Sequence, residues 1–169
     1  QLKQVEKRRI PSFQITPSLI LGDDAKAEKE RKDLSRKIAN SLPQGINILK
    51  TPSEMLDSKE SADHPVHLKI TKTLASVALL ALRASRIDPH DLVLILTGGE
   101  TAQNVINGLK PEGIEIEGEL LEGIVRGHLI GGNWDGLTVV TKAGAFGKED
   151  ALEKIVRIIE TGSSPTQEE

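Results

Sequence analysis

Two glycine-rich loops have the residue types and the spacing expected of a phosphate-binding site. The first loop, TGGET at residues 97–101, follows an apolar run and precedes a helical pattern. The second loop, KAGAFG at residues 142–147, stands in the same context and begins with a cation. Glycine lets a backbone turn sharply and approach a ligand closely, and a helix N-terminus offers free N–H groups to an anion. The sequence therefore predicts that both loops bind the phosphates of one ligand.

The spacing alone leaves other interpretations of these loops open. The first loop lacks the Gly-x-Gly-x-x-Gly fingerprint of dinucleotide-binding domains, and neither loop has the Walker A pattern. Gly98 and Gly99 would also suit a tight turn without a ligand, and Lys142 would also suit a solvent-facing position. Glu100 either caps the following helix or contacts a Mg²⁺ ion or a ribose hydroxyl. Thr101 either caps the same helix or donates a hydrogen bond to phosphate.

Strands and helices in alternation must position the two loops. Residues 92–96 and 137–141 are short apolar runs that predict buried strands, and each leads into one of the loops. Amphipathic helices are expected after the loops, at residues 102–109 and 148–160. This alternation is typical of α/β proteins. We therefore expect a layered α/β sandwich with a largely parallel sheet flanked by helices, and ligands at the carboxyl ends of its strands.

The remaining segments complete this prediction. In chain order they are a charged helix-like stretch at 1–9, an extended stretch at 12–21 broken by Pro17, an amphipathic helix at 22–42 that begins with two Asp residues, a strand at 45–51, a polar loop at 52–65, a long helix at 66–85, a half-buried strand at 114–120, an irregular segment at 127–136 and a polar tail at 161–169. Trp134, in the irregular segment, is either a core residue or a platform for a base. We expect one nucleotide-binding domain over residues 1–160, followed by the tail.

Composition excludes several classes of function. The chain has 169 residues, a net charge of −3 and a pI of about 5.9, which argues against nucleic acid as the main partner. No apolar run approaches the length that spans a membrane. The absence of cysteine excludes disulfides, thiolate metal sites and cysteine nucleophiles, and it fits a cytoplasmic protein. The four histidines show no metal-ligand spacing beyond that of His64 and His67, which flank a linker. All four are expected to be exposed polar residues, so no metal ligands are predicted: His64, His67, His90 and His128.

Between residues 92 and 152 the sequence resembles the C-terminal, nucleotide-binding domain of the four-carbon acid sugar kinases, which include the 3-oxo-tetronate and threonate kinases. The shared order is a strand into Gly-Gly-Glu-Thr-Ala, then Gly-Glu-Leu-x-x-Gly, then Gly-Gly, then Thr-Lys-x-Gly-x-Phe-Gly-x-x-Asp-Ala-Leu. These motifs stand at residues 98–102, 118–123, 131–132 and 141–152. The likeness is looser before residue 92. The chain departs from the family at Ala143, where Ser is usual, and at residues 122–125, where the family has Pro-Gly-Val-Pro.

The resemblance implies a kinase that uses ATP and Mg²⁺ to phosphorylate a small four-carbon sugar acid. The family residues that line the ATP site correspond here to Gly98, Gly99, Glu100, Thr101 and Gly144. Lys142 and Gly147, which bound the second loop, complete the predicted cofactor-binding set. The family's N-terminal domain, which holds the sugar acid, is absent from this sequence. The chain is therefore expected to be the nucleotide-binding half of a kinase and to be inactive alone, with catalytic residues that the sequence does not identify.

Two other functions remain open at this point. The first is a non-catalytic module that binds a nucleotide or a phosphometabolite. The second is a dehydrogenase-like domain, which the missing dinucleotide fingerprint disfavours. Arg126 is the only arginine in the glycine-dense middle segment and so the only one placed to reach a ligand. Asp135 is the only Asp near the loops that could act as a base, but a turn with Gly136 is the favoured interpretation of it.

Overall fold

A computed structural model of the chain describes residues 1–22, 25–52, 64–143 and 147–162. Its helices are α1 (Leu2–Glu6), α2 (Pro17–Leu21), α3 (Ala25–Ser41), α4 (His64–Ser85), α5 (Gly99–Leu109) and α6 (Ala151–Thr161). Its strands are β1 (Ser12–Gln14), β2 (Ile48–Lys50), β3 (Val93–Thr97), β4 (Gly113–Leu121), β5 (Ile124–Ile130) and β6 (Thr138–Lys142). Within these described ranges, no helix combines the length and apolarity needed to cross a bilayer.

The chain forms two compact units that are interleaved in sequence. The first comprises Gln1–Ile10, Pro89–Gly99 and the described part of Pro111–Glu169. The second comprises the described part of Pro11–Asp88 together with Glu100–Lys110. The division between the units therefore falls inside the first turn of α5.

The first unit is built on a four-stranded sheet with the strand order β3-β6-β5-β4. Strands β3 and β6 are parallel, whereas the β6–β5 and β5–β4 pairs are antiparallel. Helix α6 packs on this sheet through a cluster of buried aliphatic side chains: Leu120, Ile124, Val140, Ala151 and Ile155.

The second unit carries a short parallel pair, β1–β2, in which Phe13 lies opposite Leu49. Its helices α3 and α4 pack against each other. Its core is formed by seven buried side chains: Ile15, Leu19, Ile20, Ile38, Ile70, Val77 and Ala81. The hydroxyl of Ser35 on α3 donates to the carbonyl of Val77 on α4 at 3.1 Å, which satisfies a polar group inside this core.

The α/β class and the flanking helices are confirmed, but the pairing in the larger sheet differs from the parallel arrangement expected. Among the described residues, only one of the three strand pairs in this sheet, β3–β6, is parallel. The reason is the length of the connections. Two residues join β4 to β5 and seven join β5 to β6, whereas a parallel crossover needs a dozen or more.

Several local predictions also need correction. Pro17 does not interrupt an extended stretch, because it occupies the start of α2, where a missing N–H costs nothing. The segment expected to be irregular from residue 127 begins inside strand β5. Helix α6 begins at Ala151, and a turn occupies residues 149–150 before it. Trp134 is 9% exposed, so its interpretation as a core residue is confirmed and base stacking is wrong.

The other predicted helices and strands are found close to their expected positions. Residues 53–63 of the predicted polar loop, residues 163–169 of the tail and the two Asp residues at 23–24 lie outside the described residues.

Candidate functional site

The two glycine loops leave the sheet side by side. Strands β3 and β6 pair in parallel register from Val93 opposite Thr138 to Thr97 opposite Lys142. The pairing continues one step into the loops, because the N–H of Gly98 donates to the carbonyl of Lys142 at 3.0 Å. The prediction that the two strand ends lie on the same side of the sheet is therefore confirmed, although the sheet as a whole is mixed.

Gly98 and Gly99 make the turn from strand to helix and keep it open. Gly98 has a φ of +87°, in the left-handed region that favours glycine. Gly99 is the first residue of α5. Among the described residues, no heavy atom beyond its chain neighbours and its own helix lies within 4 Å of the position a Cβ would take at Gly99. The described residues therefore leave the backbone at Gly99 open on the side where a Cβ would lie, at a helix start of the kind that binds anions.

Lys142 is buried at the end of β6. Lys142 is 3% exposed, and its Nζ donates to the carbonyl of Ala143 at 2.9 Å. The interpretation of Lys142 as a solvent-facing lysine is therefore wrong. Burial lowers the pKa of the Lys142 ammonium below its ordinary value of 10.5, because desolvation disfavours the charged form. An anion bound beside this ammonium would offset that cost.

Gly147 closes the second loop next to Lys142. Its φ is +83°, and the position of an added Cβ would lie 3.6 Å from Lys142 Cε and 3.0 Å from Ala151 Cβ. The end of the loop thus lies against both the lysine side chain and the first residue of α6. Gly144, with its neighbours at 145 and 146, lies outside the described residues.

Glu100 and Thr101 continue the first loop within the second unit. Oε2 of Glu100 lies 2.8 Å from Nδ1 of His67, which extends from α4, and both side chains are about half exposed. One turn further along both helices, Nδ2 of Asn104 donates to the hydroxyl of Thr71 at 3.1 Å. The start of α5 is therefore fixed in register along α4.

The hydrogen bond between His67 and Glu100 was not predicted, because His67 was expected only to be an exposed polar residue. His67 and Glu100 are 33 residues apart and belong to no shared motif. The available signal was weak. Polar residues recur four apart on both helices, at 67 and 71 and at 100 and 104, as expected of two helices with a common contact line.

The other candidates have structural partners away from the loops. Nε of Arg126 on β5 lies 2.7 Å from Oε2 of Glu117 on the neighbouring strand β4. Asp135 accepts a hydrogen bond from the N–H of Gly131 at 2.6 Å, so its expected place in a turn is confirmed. His128 on β5 lies between Glu115 and Glu117. Within the described ranges, no group of three or more His, Asp or Glu side chains is arranged to hold a metal ion.

The chain resembles named kinases and a family of nucleotide-binding domains. A family model described as a nucleotide-binding C-terminal domain matches residues 1–152. A D-threonate kinase of Bordetella bronchiseptica is 41% identical over 66 residues, which cover 39% of this chain and 16% of that protein. A D-erythronate kinase of Heliobacterium modesticaldum is 25% identical over 161 residues, which cover 89% of this chain and 36% of that protein. The chain thus spans little more than a third of these relatives' length at most.

A solved structure has the same fold. It is a domain of unknown function from Bordetella bronchiseptica with bound citrate, described as a domain-swapped dimer. It superposes with a TM-score of 0.70 at 22% sequence identity, and the match covers 94% of this chain and 37% of that one. At this identity the likeness concerns the fold alone.

Proposed function

The chain belongs to the family of nucleotide-binding C-terminal domains, and from this premise we propose that it is the ATP-binding part of a kinase for four-carbon sugar acids. The observation that carries the proposal is the hydrogen bond from the N–H of Gly98 to the carbonyl of Lys142. It supports a phosphate site because two glycine loops and one buried cation then follow the carboxyl ends of two adjacent parallel strands, the edge at which parallel α/β sheets bind ligands.

The described residues support a role in holding phosphates. The N–H of Gly98 is engaged by the Lys142 carbonyl, so the N–H groups proposed to bind phosphate are those of the helix start from Gly99 onward, where the helix dipole also favours negative charge. Lys142 contributes a cation with little competing hydration, because it is 3% exposed. Gly147 allows the second loop to pass close to that lysine. Gly144 is assigned to the same site by the family motif.

Glu100 and Thr101 are proposed to act next to the phosphates. Because Glu100 would repel a phosphate directly, its carboxylate is assigned to a ribose hydroxyl or to a water molecule on Mg²⁺. Mg²⁺ fits a site without a dedicated protein cage, since it usually keeps several waters and binds through substrate phosphates. When bound, Mg²⁺ would neutralise charge that develops on the transferred phosphoryl group. The hydrogen bond between His67 and Glu100 orients the Glu100 carboxylate for this role.

The kinase assignment and the acceptor rest on the relatives. Phosphoryl transfer depends mainly on the positioning of both reactants and on charge stabilisation. This chain is proposed to position the nucleotide. A further domain, corresponding to the part of the relatives that the chain does not span, is proposed to bind the sugar acid and to supply the base. Threonate and erythronate are the proposed acceptor class, because the relatives are named for them.

Titration calorimetry with ADP and Mg²⁺ tests the proposal on the 169-residue chain. We expect saturable binding of one ADP per chain. We also expect Lys142→Met, which removes the charged terminal atom and keeps an unbranched apolar side chain, to weaken ATP binding more than AMP binding, since the lost cation would face phosphates that AMP lacks. The control Lys154→Met removes a cation that pairs with Asp150 on the exposed face of α6, and it should leave both affinities unchanged. Failure of the unaltered chain to bind ADP or ATP would contradict the proposal.

A further inference from the structure

The side chain of Gln1 contacts the second loop from the opposite end of the chain. Its Nε2 donates to the carbonyl of Gly147 at 2.8 Å, across 146 residues of sequence. The position of an added Cβ at Gly147 lies 3.9 Å from the same Nε2 and 3.6 Å from Lys142 Cε. Gly147 is thus the point at which the Gln1 amide and the Lys142 side chain meet.

Helix α1 holds Gln1 in this position. It packs along α6, and Val5 is 3% exposed. At the distal end of this contact, Arg8 forms an ion pair with Glu160 at 2.7 Å. Packing along α6 therefore brings the N-terminal end of α1 to the second loop, whereas the exposed ion pair of Arg8 beyond its other end contributes little to that position. All of these contacts lie within the first unit.

The hydrogen bond from Gln1 restrains the Gly147 end of the second loop. The φ of +83° at Gly147 is in the left-handed region, and its carbonyl is oriented by that conformation towards the Gln1 amide. A preorganised loop binds its ligand more tightly than a mobile one, because less ordering entropy is lost on binding. The donor that Gln1 places on the Gly147 carbonyl thus helps to hold this end of the loop beside Lys142.

We propose that Gln1 is a positioning residue of the nucleotide site, whose amide holds the Gly147 end of the second loop against Lys142 so that the loop is ready to receive phosphate. This inference rests on the proposed function and goes beyond the glycine loops and Lys142 themselves. It assigns a role to a helix that lies outside both loop motifs.

The test compares ligands with and without phosphates. Gln1→Met keeps the length of the side chain but has no N–H to donate. We expect it to raise the dissociation constant of ADP about 3- to 10-fold, which corresponds to the net contribution of one neutral hydrogen bond. The affinity for adenosine should stay within twofold of the unaltered chain, because adenosine has no phosphate for the second loop to hold. Calorimetry measures both constants.

Two further variants separate positioning from a general structural role. Arg8→Ala breaks the ion pair with Glu160 at the other end of α1, and it should leave ADP affinity within twofold. Gln1→Glu replaces the donor by an acceptor and adds negative charge near the phosphates, so it should weaken ADP binding more than Gln1→Met does. Melting temperatures of all three variants establish that the fold is retained.

The possible outcomes are distinct. If the unaltered chain does not bind ADP, the proposed function fails, and this inference fails with it. If that chain binds ADP and Gln1→Met binds it equally well, only the inference is overturned. Equal losses for ADP and adenosine, or an Arg8→Ala variant as weak as Gln1→Met, would also overturn it, because they would make α1 a support of the fold rather than of the phosphate site.

Discussion

Replacement of Gly99 by valine tests the first loop without disturbing the protein around it. A Cβ at this position meets no heavy atom within 4 Å among the described residues, apart from the chain neighbours and helix backbone that belong to Gly99 itself. Valine and glycine differ by less than about 1 kcal/mol in helix propensity. The free energy of unfolding should therefore change by no more than about 1 kcal/mol, as measured by urea denaturation.

The effect on ligand binding should be much larger. The valine side chain would occupy the space in front of the N–H groups at the start of α5, and each charge-assisted hydrogen bond lost contributes about 1.5–3 kcal/mol. We expect the dissociation constant of ADP to rise about 10- to 100-fold in calorimetry. Gln103→Val is the matched control, because it puts the same side chain on an exposed position of the same helix. ADP affinity of Gly99→Val within twofold of the unaltered chain would place the phosphates away from this loop.

Three other predictions concern burial, backbone packing and turnover. Burial lowers the folded-state pKa of Lys142 below 10.5, so the unfolded chain keeps this proton to a higher pH than the folded chain does. The free-energy cost of burying the charged ammonium is therefore full below the folded-state pKa, and it declines as the pH rises towards 10.5. The gain in unfolding free energy from Lys142→Met should therefore shrink over that range in urea titrations, and a constant difference would contradict the assignment. Gly127→Ala should destabilise the fold by about 1–3 kcal/mol in the same assay, because its Cβ would lie 2.4 Å from the carbonyl oxygen of Glu115 on the adjacent strand; an unchanged midpoint would refute this. The 169-residue chain alone should show no ADP release dependent on threonate or erythronate in a coupled assay, and robust turnover would place a complete active site within it.

The meeting of the two loops was predictable from the sequence. Each loop follows a short apolar run and precedes a helical pattern, and the carboxyl ends of parallel strands lie at one edge of a sheet. The pairing of Gly98 with Lys142 follows from that rule. The short connections on either side of β5 already favoured hairpins over crossovers. However, Gly127 made strand β5 hard to predict, since glycine is usually depleted in strands. Glycine is required at this position because the backbone of β4 approaches it closely.

Contacts between residues far apart in sequence were beyond prediction. The burial of Lys142, the pairing of His67 with Glu100 and the hydrogen bond from Gln1 to Gly147 depend on which elements pack together. Hydrophobic periodicity reports which face of an element is buried, but not its neighbour. The residue type at position 142 likewise predicts an exposed side chain, because lysine is almost never fully buried unless it has a partner. The burial of Lys142 and these two contacts therefore could be identified only from the folded structure.

The central claim is that a nucleotide binds with its phosphates at the carboxyl ends of β3 and β6. The most direct measurement is a titration of the ¹⁵N-labelled chain with ADP and Mg²⁺, followed by amide chemical shifts. We expect saturable shifts at Gly98, Gly99 and Gly147 that are much smaller with adenosine, while the amide of Gly162, at the far end of α6, stays unchanged. Saturable binding that leaves the three glycine amides unperturbed would show that the nucleotide binds elsewhere.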